Sequence, residues 1–129
     1  MKFIHTEKAP KPVGPYSQAV EVGGFLFLSG QIGIDPSTGK LKETFEEQVK
    51  QCLENVLAVL ESAGLGKRNI VRVVVYITDL SLFKRFNELY EEFFAGVEPK
   101  PARTTVGVKE LPLGAMLELE VIAFRDVQG

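Results

Sequence analysis

Residues 44–78 read TFEEQVKQCLENVLAVLESAGLGKRNIVRVVVYIT, a helix pattern followed by a strand pattern. Phe45, Val49, Cys52, Leu53, Val56, Leu60 and Ala63 recur every three or four positions, which lays one apolar stripe along a helix. Thr44-x-x-Glu47 has the form of a capping box, in which hydroxyl and carboxylate satisfy free amides of the first turn. Gly64 stands where a left-handed C-cap residue is expected. The pattern therefore predicts a helix over Thr44–Ala63. Ile70–Thr78 is dominated by β-branched residues and predicts a strand. Side chains alternate along a strand, so Val71, Val73, Val75 and Ile77 are expected on one face, Val74 and Tyr76 on the other.

Upstream of this stretch, Ala9-Pro10-Lys11-Pro12 and Gly14-Pro15 punctuate the chain. Ser17–Val22 and Phe25–Ile32 then read as two strands joined at Gly23-Gly24, a hairpin signal. Asp35-Pro36-Ser37-Thr38-Gly39 is a turn by composition. Downstream, Ser81–Phe94 predicts a second amphipathic helix, with Leu82, Phe83, Phe86, Leu89, Tyr90, Phe93 and Phe94 on its apolar side. Pro99-x-Pro101 ends that region. Thr104–Val108 and Met116–Phe124 are expected as the last strands, and Lys2–His5 as a short first one. The order is β-β-β-α-β-α-β-β, a single α+β domain over residues 1–129.

Both faces of such a sheet are apolar near its middle. Phe25 and Phe27 point one way; Leu26, Leu28 and Ile32 point the other. Two helices cover one face, and a large bare apolar face is rare on a monomer. The reading is an oligomer; the alternative is a sheet curled into a barrel.

Of 129 residues, 45% are hydrophobic and 25% charged, the profile of an ordinary globular chain. Lys and Arg number 15 against 17 Asp and Glu, a formal charge of -2, and the pI is about 5.5. Without a basic stripe, nucleic acid is not an expected partner. One cysteine and one histidine leave no disulfide and no metal-ligand cluster to expect. No apolar run approaches a membrane span, and the first residues lack a signal-peptide pattern. The cytoplasm is the expected compartment.

Arg103 is the leading candidate for chemistry. It lies among uncharged, strand-forming residues and so is expected to be partly buried. Its paired donors match a planar carboxylate. The competing reading is an internal salt bridge to Glu118 or Glu120. Those two glutamates share one strand face: either a solvent-facing row, or a like-charge pair whose raised pKa suits acid–base work. Asn87 falls at the edge of the second helix's apolar stripe, where its amide can reach a cleft or cap a loop. Tyr16 and Ser17 after Gly14-Pro15, and Ser29-Gly30-Gln31 at a strand end, pair hydroxyls with glycines that permit close backbone approach; a plain bulge is the alternative. Cys52 lies in the apolar stripe and reads as a core residue.

The segments GPYSQAV (14–20), SGQIGIDPSTG (29–39), NELYEEFF (87–94), PARTTVGVKELP (101–112) and LELEVIA (117–123) resemble the RidA/YjgF family of reactive-intermediate deaminases, in order and spacing over nearly the whole chain. The resemblance implies a chorismate mutase-like α+β fold: a six-stranded mixed sheet with two helices on one face, assembled as a homotrimer with clefts between subunits. It implies that Arg103 holds a substrate carboxylate and that Glu118 positions or activates the attacking water. Tyr16, Ser29, Gly30 and Asn87 would line the cleft, with the backbone at Thr105 also touching ligand. Many members carry cysteine where this chain has Thr105, so no thiolate acts there. The implied reaction is hydrolysis of 2-iminobutanoate or 2-iminopropanoate to the 2-oxo acid and ammonia, without cofactor or metal. A non-catalytic small-carboxylate binding protein is the alternative. Ribonuclease activity, also attached to the family, is disfavoured by the acidic pI.

Overall fold

The computed structural model describes residues 1–125. In chain order the elements are β1 (Lys2–Ile4), β2 (Ala19–Val22), β3 (Phe25–Leu28), β4 (Ile34–Asp35), β5 (Lys40–Leu41), α1 (Phe45–Ser62), β6 (Ile70–Ile77), α2 (Phe83–Phe93), β7 (Ala102–Gly107) and β8 (Leu117–Phe124). Six strands form one mixed sheet in the order β1-β2-β3-β8-β6-β7. Every pairing in it is antiparallel except β6 with β7, which is parallel. Strands β4 and β5 form a separate small hairpin around the expected turn at 35–39. The six-stranded α+β architecture matches the expectation; the small hairpin is an addition.

Helix α1 begins where its sequence dictates. The Glu47 amide donates to Thr44 Oγ1 at 3.2 Å and the Thr44 amide donates to Glu47 Oε1 at 3.1 Å, closing the capping box. Gly64 follows at φ +77°, which only glycine adopts freely. Helix α2 starts at Phe83, later than Ser81, because Asp79 accepts from the Ser81 amide at 2.9 Å and holds Leu80–Leu82 in a 3-10 turn.

Both helices pack on one face of the sheet. Val49, Cys52, Val56 and Leu60 of α1 and Phe86 and Leu89 of α2 join Leu26, Leu28, Val73, Val75, Ile77, Leu117, Leu119 and Val121 in one core. Cys52 is fully buried and donates its thiol to the Gln31 carbonyl. Burial lifts that thiol far above its ordinary pKa, so it serves packing. The expected face of β6 needs one correction: Val71 is exposed and Ile70 is buried. A register shift between Ile70 and Arg72 inserts one residue opposite β8, and such a bulge turns the extra side chain away.

Among the described residues, no helix packs on the other face. A row of paired residues, Phe3–Val20–Phe27–Ile122, crosses four strands, and Val22–Phe25–Phe124 runs beside it. Phe25 and Phe27 are 41% and 42% exposed. The sheet stays open, with β1 and β7 as its edges, so the barrel alternative fails. Among the described residues no helix is long and apolar enough to cross a membrane.

Two strand limits also differ from expectation. β2 begins at Ala19 and β3 ends at Leu28: the Ser29 amide still donates to the Gln18 carbonyl in the same register, while its hydroxyl caps the Ser17 carbonyl at 2.7 Å. Gln31 rejoins as an isolated bridge to Leu119. β7 begins at Ala102, which places Arg103 inside the strand.

Candidate active site

Arg103 projects from β7 onto the helix-covered side, in register with Val73. Its guanidinium lies over three rings of α2: Tyr90 at 4.9 Å, Phe83 at 5.4 Å and Phe86 at 5.7 Å from the ring centroids. Positions 83, 86, 87 and 90 share a helical face, so Asn87 lies on the face of α2 that carries these rings. Among the described residues no carboxylate pairs with Arg103; the internal salt bridge to Glu118 or Glu120 does not form. Guanidinium donors lie in its plane, so stacking on rings leaves them uncommitted. Thr105, the next residue on that face of β7, has a buried hydroxyl without a hydrogen-bond partner.

Glu118 projects from β8 to the open side, beside Tyr76 in register. It lines a groove with Pro12, Tyr16, Gly30, Gln31 and Ile32. Gly30 leaves room for this carboxylate: a Cβ at this position would stand 2.7 Å from the Glu118 carboxyl carbon and push the side chain aside. Burial first, and the Glu120 carboxylate second, hold the Glu118 carboxyl above the usual carboxylate range. Glu120 is engaged by the Tyr76 hydroxyl, which donates to it at 2.7 Å. Of the two glutamates, Glu118 is therefore the free one. Tyr16 is 46% exposed, and its hydroxyl accepts from the Val13 amide at 3.1 Å. Ser29 faces the Ser17 carbonyl, so its hydroxyl proton is already committed.

The predicted residues thus fall into two groups. Arg103, Asn87 and Thr105 lie on the α2–β7 side. Tyr16, Gly30 and Glu118 line one groove at the other face, with Ser29 next to Gly30 in the chain. Glu118 and Arg103 stand two strands and three register steps apart, about 14 Å between backbones, and on opposite sides of the sheet. One chain does not bring them together. Among the described residues no three His, Cys, Asp or Glu side chains gather into a metal-binding group.

Two features escaped the sequence reading. The aromatic bed under Arg103 read as core stripe, although residues 83, 86 and 90 flank Asn87 on one helical face. Gln18 is 2% exposed: its Oε1 accepts from the Thr6 amide at 2.7 Å and its Nε2 donates to the Pro10 carbonyl at 2.9 Å. It pins the N-terminal loop that walls the Glu118 groove. A glutamine beside the apolar Ala19-Val20 was the available signal.

The model of the family described as Endoribonuclease L-PSP matches residues 6–125. A RutC family protein of Aquifex aeolicus is 63% identical, over 97% of this chain and 100% of that one. TdcF of Escherichia coli, named as a candidate reactive intermediate deaminase, is 42% identical over 97% of this chain and 98% of its own length. The crystal structure of TdcF with bound serine superposes with a TM-score of 0.94, covering 98% of this chain and 100% of that one. RidA from an Antarctic Psychrobacter species gives 0.92 at 44% identity, over 96% and 99%. This chain therefore belongs to the Endoribonuclease L-PSP family, that of the RutC, RidA and YjgF proteins.

Proposed function

We propose that the chain is a cytoplasmic homotrimeric deaminase that hydrolyses 2-imino acids such as 2-iminobutanoate and 2-iminopropanoate. In this reading each cleft joins Arg103, Asn87 and Thr105 of one subunit to Tyr16, Ser29, Gly30 and Glu118 of the next. The observation that carries it is Arg103: a half-buried cation without an anionic partner among the described residues, on an edge strand of the sheet. Three further points support it. The apolar open face needs a cover. Glu118 is an uncommitted carboxylate with a raised pKa, the tuning that suits a general base. TdcF is named as a candidate deaminase and its crystals hold serine, a small carboxylate.

In the reaction, Arg103 binds the substrate carboxylate through two parallel hydrogen bonds and fixes the imine carbon. Glu118 takes a proton from water as the oxygen adds to the C=N carbon. The resulting carbinolamine receives that proton on nitrogen. Glu118 then carries the carbinolamine's hydroxyl proton to the amine nitrogen as the carbonyl forms and the C–N bond breaks, releasing ammonia and the 2-oxo acid. Imines hydrolyse readily, so orientation plus one base suffices.

The test couples a threonine dehydratase to the protein and follows imine decay. Acceleration over buffer is expected, and Arg103→Ala should abolish it. No acceleration by the wild-type protein refutes the deaminase; 2-oxobutanoate binding retained in that case points to a carboxylate-binding protein. The family's description names an endoribonuclease, but a formal charge of -2 gives RNA no electrostatic hold.

A further inference from the structure

Holding an arginine ready for a guest anion poses a problem. A carboxylate neighbour would fix its position but consume its donors; open solvent would leave it mobile. The face of an aromatic ring does neither, because it attracts the cation without accepting an in-plane N–H. The nearest such ring to Arg103 is Tyr90, at 4.9 Å. This ring is itself braced, by Phe86 at 5.4 Å and Phe94 at 4.8 Å. Tyr90 is only 8% exposed, and its hydroxyl has no hydrogen-bond partner among the described residues. Burial pushes the phenol up to about 12, with Arg103 pulling the other way. The ring therefore stays neutral at ordinary pH and forms no ion pair with the guanidinium.

We propose that Tyr90 is the positioning residue of Arg103: its braced ring face carries the guanidinium and holds the donors toward the ligand. Phe83, partly exposed at the helix start and 5.4 Å from the guanidinium, forms the outer wall of the same bed. The inference rests on Arg103 being the carboxylate-binding group. Since the ring acts on binding equally in ground and transition states, its loss raises KM and leaves kcat nearly unchanged.

The experiment measures 2-oxobutanoate binding by calorimetry and imine hydrolysis by steady-state kinetics, on the full-length protein. Tyr90→Leu is expected to raise Kd and KM about tenfold, while Tyr90→Phe, which keeps the ring, stays within about threefold of wild type. Should Tyr90→Leu fail to fold, Phe83→Leu replaces it, with an expected rise of about threefold. A folded Tyr90→Leu, or its Phe83→Leu replacement, that binds as wild type overturns the proposal. So does a Tyr90→Phe as impaired as Tyr90→Leu, which would put the effect on the hydroxyl. Wild-type protein that fails to bind 2-oxobutanoate, or binding that survives Arg103→Ala, refutes the Arg103 reading instead.

Discussion

At the scale of single residues, Glu118 makes the sharpest prediction. Its carboxyl is held above its ordinary value of 4.5, first by burial and then by Glu120. The folded chain thus binds a proton that the unfolded chain has released, in the window from 4.5 upward. Stability from this group is present below that window, is lost as pH rises through it, and stays lost above. Glu118→Gln should accordingly melt higher than wild type above the window and converge with it below; melting curves across pH check this. The same substitution should cut imine hydrolysis by roughly 10²–10⁴-fold, while 2-oxobutanoate still binds. Gly30→Ala should also cost at least tenfold in rate, roughly the effect of a misplaced base, with little change in melting temperature. Arg103 and Glu118 were both legible as candidates, because an arginine within a strand and paired glutamates among apolar residues break the local pattern. What Arg103 touches was not legible: the rings that hold it sit on a helix ten or more positions earlier, and their spacing also fits a plain core stripe.

At the scale of elements, local signals were read well wherever a cap or a period decided the outcome. The capping box at Thr44 sets the start of α1, and Thr44→Ala should cost about 1 kcal/mol, visible as a fall in melting temperature. The misread limits have tertiary causes. β3 ends at Leu28 where the Ser29 hydroxyl donates to the Ser17 carbonyl, and no periodicity announces that end. The Val71 bulge depends on how β8 pairs with β6, a relation between segments some fifty residues apart. Gln18→Leu should loosen the N-terminal loop on Tyr16's side of the groove; raised proteolytic sensitivity of residues 6–13, with the core intact, is the expected readout.

At the scale of the whole molecule, the chain shows two separated groups of candidate residues and a bare apolar face. The bare face was legible from period-two alternation, since Phe25 and Phe27 necessarily oppose Leu26 and Leu28. The number of subunits was not, because nothing in one chain counts its partners. Phe27 is exposed in the chain and lies mid-row on that face. Phe27→Lys should therefore leave the fold intact by circular dichroism, yet dissociate the assembly by light scattering and abolish hydrolysis.

The central claim is that Arg103 and Glu118 act across a subunit boundary. Arg103→Ala and Glu118→Gln proteins, each inactive alone, are unfolded together in equal amounts and reassembled, with mixed trimers verified by mass spectrometry. In a cyclic trimer each cleft draws its two halves independently, so about a quarter of the clefts are intact and about a quarter of wild-type activity should return. Mixed trimers that remain inactive would contradict the account.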